Sequence, residues 1–191
     1  MELQRGVCGD LAGSPHLARA VEAAGVDVAA VRLVEGARAA GAVVAHCTFS
    51  ILPDGDGVDL DLPVMAAAAA SPTLLRRGDP STELLDGLGP APGDLVSERH
   101  HGLTPFTGTD LGDRLRAAGV DHVVACGVSL NIGIPGLVYE AVGEGFGVTV
   151  ATDAVVGLPP AFGEAVLANA VGYVARLTTV DQLLDSWSSR R

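Results

Sequence analysis

Apolar positions along the chain follow two rhythms, one helical and one strand-like. Between Pro15 and Gly41 they recur every three to four residues in two amphipathic stretches. Leu17, Val21 and Ala24 mark the first; Val31, Leu33, Val34, Ala37 and Ala40 mark the second. That spacing puts them on one face of a helix. After Gly41-Ala42, the run Val43-Val44-Ala45-His46-Cys47-Thr48 has the unbroken apolar character of a strand covered on both faces. Val123–Gly127 reads the same way, and further strands are predicted near Leu95–Glu98 and over Phe146–Ala151. Three helices are predicted in the second half of the chain. One has Leu111, Leu115 and Ala118 on its inner face, with Thr107, Thr109 or Asp110 as N-cap. One runs over residues 132–143, with Pro135 in its first turn, where a missing N–H costs nothing. The last covers residues 160–175.

Residues 50–93 break the rhythm. Asp54-Gly55-Asp56-Gly57 and Pro90-Ala91-Pro92-Gly93 are turn-forming, and an Ala-rich helix is expected between them around 64–70. Strands and helices alternating at this spacing, joined by right-handed crossovers, predict an α/β fold. The expectation is a three-layer, Rossmann-like arrangement with a mostly parallel open sheet and helices on both faces. No repeat, linker or low-complexity tract divides the 191 residues, so a single domain, 1–191, is expected.

Composition narrows the chemistry. With 48% hydrophobic and 18% charged residues there is ample core material, and disorder is excluded. A net charge of −11 argues against nucleic acid or an anionic membrane as partner. All twelve basic residues are arginine, so no mechanism here can use a lysine. Cys8, Cys47 and Cys126 have no CxxC or Cys/His spacing, which fits reduced thiols in a cytoplasm. The first residues lack the apolar core of a secretory signal. The apolar run Val64–Ala70 is too short to cross a bilayer. A soluble, cytoplasmic protein is expected.

In an open parallel sheet, sites form at the carboxyl ends of the strands. That directs attention to Glu2-Leu3-Gln4, His46–Phe49, Glu98–His101 and Cys126–Gly133. At these segments the chain resembles the isochorismatase-like, or cysteine hydrolase, superfamily over nearly its whole length. His100 to Leu111 resembles the pattern K-x-x-x-S-x-F-x-x-T-x-L, with Phe106, Thr109 and Leu111 retained. Gly127-Val128-Ser129-Leu130-Asn131-Ile132-Gly133 resembles the turn G-V-x-x-x-x-C. Asp153-Ala154-Val155 resembles the D-A-x after the fifth strand, and Glu2-Leu3-Gln4 the D-x-Q that ends the first.

Where family hydrolases use Asp, Lys and a nucleophilic Cys, the resemblance points to Glu2, His100 and Gly133. Glu2 and His100 are the candidate catalytic residues. The candidate substrate-binding residues are Gln4, His46, His101, Phe106, Ser129, Asn131 and Gly133, and a cis peptide is implied at Val128–Ser129. Position 133 carries no sulfur, so an acyl-enzyme cannot form there. Isochorismatases of siderophore and phenazine pathways are similar in having Gly at that position. They cleave a vinyl ether, a reaction that needs a carboxylic acid to protonate carbon and a water to capture the cation. At a helix N-terminus, Gly133 would expose backbone N–H groups to a carboxylate or an oxyanion.

Cys126, on a strand, reads as a small buried hydrophobe, and packing is also the reading for Cys8 and Cys47. The D-x-H pattern of zinc-dependent relatives is not found after Thr48, and the Asp54–Gly57 loop lacks the glutamate spacing of a calcium loop. Neither metal nor cofactor is expected. Three functions follow from the resemblance. The first is non-covalent acid–base hydrolysis of a small anionic metabolite. The second is a catalytically silent homologue that binds a metabolite or a partner. The third is a lyase, isomerase or cyclase of a secondary-metabolite pathway. The family also implies a homodimer or homotetramer.

Overall fold

A computed structural model describes residues 1–71 and 74–189. It is an α/β arrangement whose strands all run parallel. The elements are α1 (Arg5–Cys8), α2 (Pro15–Ala24), α3 (Val26–Ala39), β1 (Ala45–Phe49), α4 (Pro63–Ala69), β2 (Leu95–Arg99), α5 (Leu111–Ala117), β3 (His122–Val128), α6 (Gly133–Gly143), β4 (Gly147–Val156), α7 (Pro160–Asn169), β5 (Arg176–Thr178) and α8 (Val180–Ser188). β1 pairs with β2, and β3, β4 and β5 pair in that order.

The two ladders are joined by the first two residues. Glu2 N–H donates to the Cys47 carbonyl of β1 at 2.9 Å. On the other side, the Met1 amino group donates to the Cys126 carbonyl at 2.9 Å, and Val128 N–H donates to the Met1 carbonyl at 3.0 Å. The order across the fold is therefore β2, β1, Met1–Glu2, β3, β4, β5. Gly127 makes the approach possible. A Cβ there would overlap the Met1 carbonyl oxygen, and its φ of +110° is open to glycine rather than to residues with a side chain.

Helices cover both faces. Val21 of α2 and Val26, Ala30 and Val34 of α3 pack with Val44, Val128 and Val156, while Val180 of α8 packs with Leu33 and Ala151. On the opposite face Leu111 and Leu115 of α5 and Ile134, Leu137 and Val138 of α6 enclose Ala125, Val148 and Val150. Each such side chain taken fully out of water contributes about 1.5–3 kcal/mol. Local chemistry sets the helix ends. Pro15 opens α2, and Gly25, at φ +66°, turns the chain from α2 into α3. Thr179 and Gln182 form a capping box on α8.

The first part of the excursion between β1 and β2 is closed on itself just after β1. Ile51 N–H donates to the Leu75 carbonyl at 2.7 Å, and Arg77 N–H donates to the Ile51 carbonyl at 2.9 Å. Inside it lies α4, one residue earlier than the Ala-rich pattern predicts.

The helix expected over 160–175 is a correction. α7 stops at Asn169, a 3-10 turn covers Val171–Tyr173, and β5 follows, pairing Arg176, Leu177 and Thr178 with Thr149, Val150 and Ala151. The chain leaves the helix because β4 has a hydrogen-bonding edge to satisfy, and α8 then returns over α3. Leu184 of α8 occupies the space that a side chain at Gly36 would fill. Among the described residues no helix is long and apolar enough to cross a membrane.

Candidate active site

The site is built where the sheet halves meet. Glu2 has a φ of +50°, which turns the chain out of the strand direction immediately after its bond to β1. Its carboxylate lands on the guanidinium of Arg99, the last residue of β2, in an ion pair between Nη2 and Oε1. The pair lies inside the protein, with Arg99 4% and Glu2 15% exposed at the side chain. The other arm of the guanidinium, Nη1, donates to the carbonyls of His101 (3.2 Å) and Gly102 (2.6 Å), and the group stacks 4.7 Å over the Phe49 ring. Arg99 Nε is buried with no partner among the described residues. A buried donor without an acceptor is costly, so this N–H can take one brought by a ligand or water.

The turn that opens α6 follows β3, on the other side of Met1. The Val128–Ser129 peptide is cis, as the resemblance implies. The Ser129 carbonyl accepts from Ile132 N–H (3.3 Å) and Ile134 N–H (3.0 Å), which folds the chain into the helix at Gly133. A Cβ on Gly133 would sit 2.9 Å from the Val128 carbonyl oxygen and 3.3 Å from Cε of Met1. The space in front of position 133 is thus shared between backbone and the Met1 thioether.

Several expected site residues do other work. His100 does not reach Glu2. Its Nδ1 lies 3.2 Å from Ser50 Oγ and 3.1 Å from the Ser50 carbonyl oxygen, and Nε2 is 3.8 Å from Glu98. Ser50 also donates to Glu98 at 2.7 Å, and Arg77 closes this cluster at 3.2 Å. Gln4 is fully buried, and its amide is consumed by backbone: Nε2 donates to the carbonyls of Phe49 and Thr82, and Oε1 accepts from Phe49 N–H. It ties the end of β1 to the returning excursion. His46 lies near the start of β1 and faces Asp94 at 3.0 Å. Asp94 also accepts from Arg38 at 2.5 Å and from Ala91 N–H at 2.9 Å, and the guanidinium holds this carboxyl well below the usual range. Asn131 bonds both backbone groups of Leu158. Phe106 is core, 5.9 Å from Phe146 between ring centroids. The imidazole of His101 lies against Gly108, within the 100–109 loop.

The thiols are poorly placed for nucleophilic work. Burial pushes the Cys8 thiol up to about 12 and raises that of Cys47, so both stay protonated and weakly nucleophilic at neutral pH. No group of three or more His, Cys, Asp or Glu with metal-holding geometry occurs among the described residues.

Arg99 lies within the Glu98–His101 segment to which the sequence directs attention, but was given no role there. The pattern K-x-x-x-S-x-F puts its cation six residues before Phe106, at His100, whereas Arg99 lies seven before. The signal that could have found it is the register of the strand pair: Phe49 faces Arg99, so this side chain leaves β2 opposite the end of β1.

The Isochorismatase domain model matches residues 1–182. The ureidoacrylate amidohydrolase RutB of Methylorubrum extorquens is 32% identical over 122 residues, which are 62% of this chain and 49% of that protein. The phenazine biosynthesis protein PhzD1 of Pseudomonas aeruginosa is 27% identical over 111 residues, 58% of this chain and 53% of that protein. The chain spans about half the length of the curated relatives it matches. Among solved structures, an isochorismatase family protein from Desulfovibrio vulgaris superposes with a TM-score of 0.84 at 24% identity, covering 98% of this chain and 95% of that one.

Proposed function

The chain belongs to the isochorismatase domain family, and from that premise we propose that it is an acid–base enzyme for a small anionic metabolite that works without a covalent intermediate. The family includes hydrolases, RutB by its name among them. The observation that carries the reading is the buried Glu2–Arg99 pair at the carboxyl end of β2; Met1, next to Glu2 in the chain, brings its Cε to the glycine turn at 133. Arginine keeps its charge at any working pH, so it binds and orients but does not shuttle protons. Glu2 is the group that can.

An anionic substrate competing for Arg99 would place a second negative charge beside Glu2. In a vinyl ether, a proton would pass from the Glu2 carboxyl to the enol carbon. Water would then add to the resulting oxocarbenium ion, returning a proton to Glu2, and the hemiketal would collapse to an alcohol and a ketone. The unpartnered Arg99 Nε–H would be an additional donor to the bound anion. Gly133 supplies no nucleophile, and the raised thiols of Cys8 and Cys47 support a route that does not use sulfur.

A second reading, a silent homologue that only binds its metabolite, is favoured by the Met1 thioether against Gly133 and by the engagement of both terminal Arg99 nitrogens, Nη2 by Glu2 and Nη1 by two carbonyls. The discriminating experiment incubates anionic vinyl ethers, ureido acids and a small-metabolite extract with the wild type, Glu2→Gln and Arg99→Met, followed by mass spectrometry. The enzyme reading expects a substrate consumed by the wild type, with gain of one water, and by neither variant. Retention without consumption on all three establishes the silent reading. Undiminished turnover by both variants removes Glu2 and Arg99 from the chemistry.

A further inference from the structure

Among the described residues, the buried side-chain polar atoms without a hydrogen-bond partner are Ser97 Oγ and Arg99 Nε. Both belong to β2. They stand two residues apart, so their side chains leave the same face of the strand. Both residues are more than nine-tenths buried. Their register partners on β1 are Cys47 and Phe49, and the guanidinium stacks on the Phe49 ring. The Cys47 thiol, opposite Ser97, senses the charges of both Glu2 and Arg99, so the Ser97 row lies beside the ion pair. A buried hydroxyl or N–H without a partner costs about 1–3 kcal/mol. Two such atoms on one strand face mark a place that a ligand completes.

The shape of the guanidinium says what fits. Nε–H and Nη2 lie on one edge, the edge that takes a carboxylate through two parallel N–H···O bonds. Glu2 occupies only the Nη2 half of it. Nη1, on the other side, is taken up by the His101 and Gly102 carbonyls. An oxygen accepting from Nε–H therefore sits next to the Glu2 carboxyl. Ser97 offers a second donor from two strand positions earlier, about 6.6 Å along β2 between Cα atoms.

We propose that Ser97 Oγ and Arg99 Nε form a carboxylate seat, in which one oxygen of the ligand accepts from Nε–H and the other from the Ser97 hydroxyl. The seat deepens the acid–base reading, on which it rests: the substrate is a small carboxylate with a single negative charge at this end. Charge selects it. With Glu2 in the acid form that the proposed reaction requires, Arg99 balances one negative charge, and a dianion would leave a second one buried and unpaired. A neutral amide fills the same outline but gives up the charge-assisted bonds, which are roughly twice as strong as neutral ones. Ser97 is thereby a specificity-determining residue.

Proton–nitrogen NMR of the arginine Nε–H groups reads the seat directly. The Arg99 signal is identified by its contacts to the Phe49 ring and by its loss in Arg99→Met. Titration with formate and acetate should move that signal saturably, and acetamide at the same concentrations should not. In Ser97→Ala the affinity for both carboxylates should fall roughly tenfold. A signal that no carboxylate moves, an equal response to acetamide, or equal affinity in Ser97→Ala overturns the seat. Turnover that needs Glu2 and Arg99 but ignores Ser97→Ala leaves the proposed reaction standing and removes the seat. Carboxylate binding that depends on Ser97, with no turnover of any substrate, keeps the seat and removes the reaction.

Discussion

Replacing Arg99 by alanine removes the cation that holds the carboxyl edge of the sheet together. The guanidinium pairs with Glu2, donates to the His101 and Gly102 carbonyls and stacks on Phe49. Breaking a buried pair from one side costs about 3–5 kcal/mol, because the partner charge stays behind. Two carbonyls losing a donor add roughly 1 kcal/mol each, and the lost stacking about 0.5–1 kcal/mol. These terms overlap. Glu2, at 15% exposure, can also recover some hydration. A net loss of about 4 kcal/mol is expected. For a chain of this size about 1 kcal/mol moves Tm by roughly 2–4 °C, so Arg99→Ala should melt about 10 °C lower or more. Urea unfolding followed by circular dichroism and by Trp187 fluorescence gives the free energy directly. The double variant Glu2→Gln/Arg99→Met removes both charges and keeps both shapes, and should recover at least half of the loss. A single-variant loss under about 1 kcal/mol, or a double variant as unstable as Arg99→Ala, would refute the idea that the pair organises this edge.

Three further outcomes are expected. Asp94, whose carboxyl Arg38 holds low in the folded state, takes up protons more readily once unfolded. Its contribution is therefore complete above about pH 4 and lost as pH falls below that. Urea midpoints between pH 5 and pH 2 should fall steeply for the wild type and less steeply for Asp94→Asn. Cys8, with its thiol pushed up to about 12, should resist iodoacetamide at pH 8 in the folded protein and react once urea unfolds it; labelling of the native thiol within minutes would contradict its burial. Gly127→Ala forces a side chain into the Met1 carbonyl at a φ of +110°. It should cost roughly 3 kcal/mol or more and shows in the same urea titration; a neutral effect would mean that the Met1 contact is dispensable.

What the sequence made legible follows from where its signals are strong. β1 and β3 lie within two residues of the apolar runs that predict them, because strands covered on both faces are built mostly from apolar residues. α2 and α3 were visible as two helices because Gly25 interrupts one continuous amphipathic stripe. β5 was not, since Arg176-Leu177-Thr178 is short and half exposed, and exists because β4 offers an edge. At the candidate site, Glu2 and the Gly133 turn were named from their motifs, while Arg99 was hidden by a one-residue difference in loop spacing. Gln4 and Phe106 matched motifs yet serve packing and backbone bonding. Residue identity cannot separate those roles, because a buried amide satisfied by backbone and one reserved for substrate look alike in sequence.

The pinned excursion makes this fold easy to re-engineer. Its first part is closed at Ile51 by hydrogen bonds to Leu75 and Arg77, and Gln4 holds the 3-10 turn that follows at Thr82 from outside the loop. A segment closed at its own base can be exchanged as a cassette. Doubling its length costs only about 0.6 kcal/mol of closure entropy, while the Glu2–Arg99 pair and the Gly133 turn lie outside it. Grafts between Ile51 and Leu75 can therefore vary what borders the site without disturbing the groups that form it.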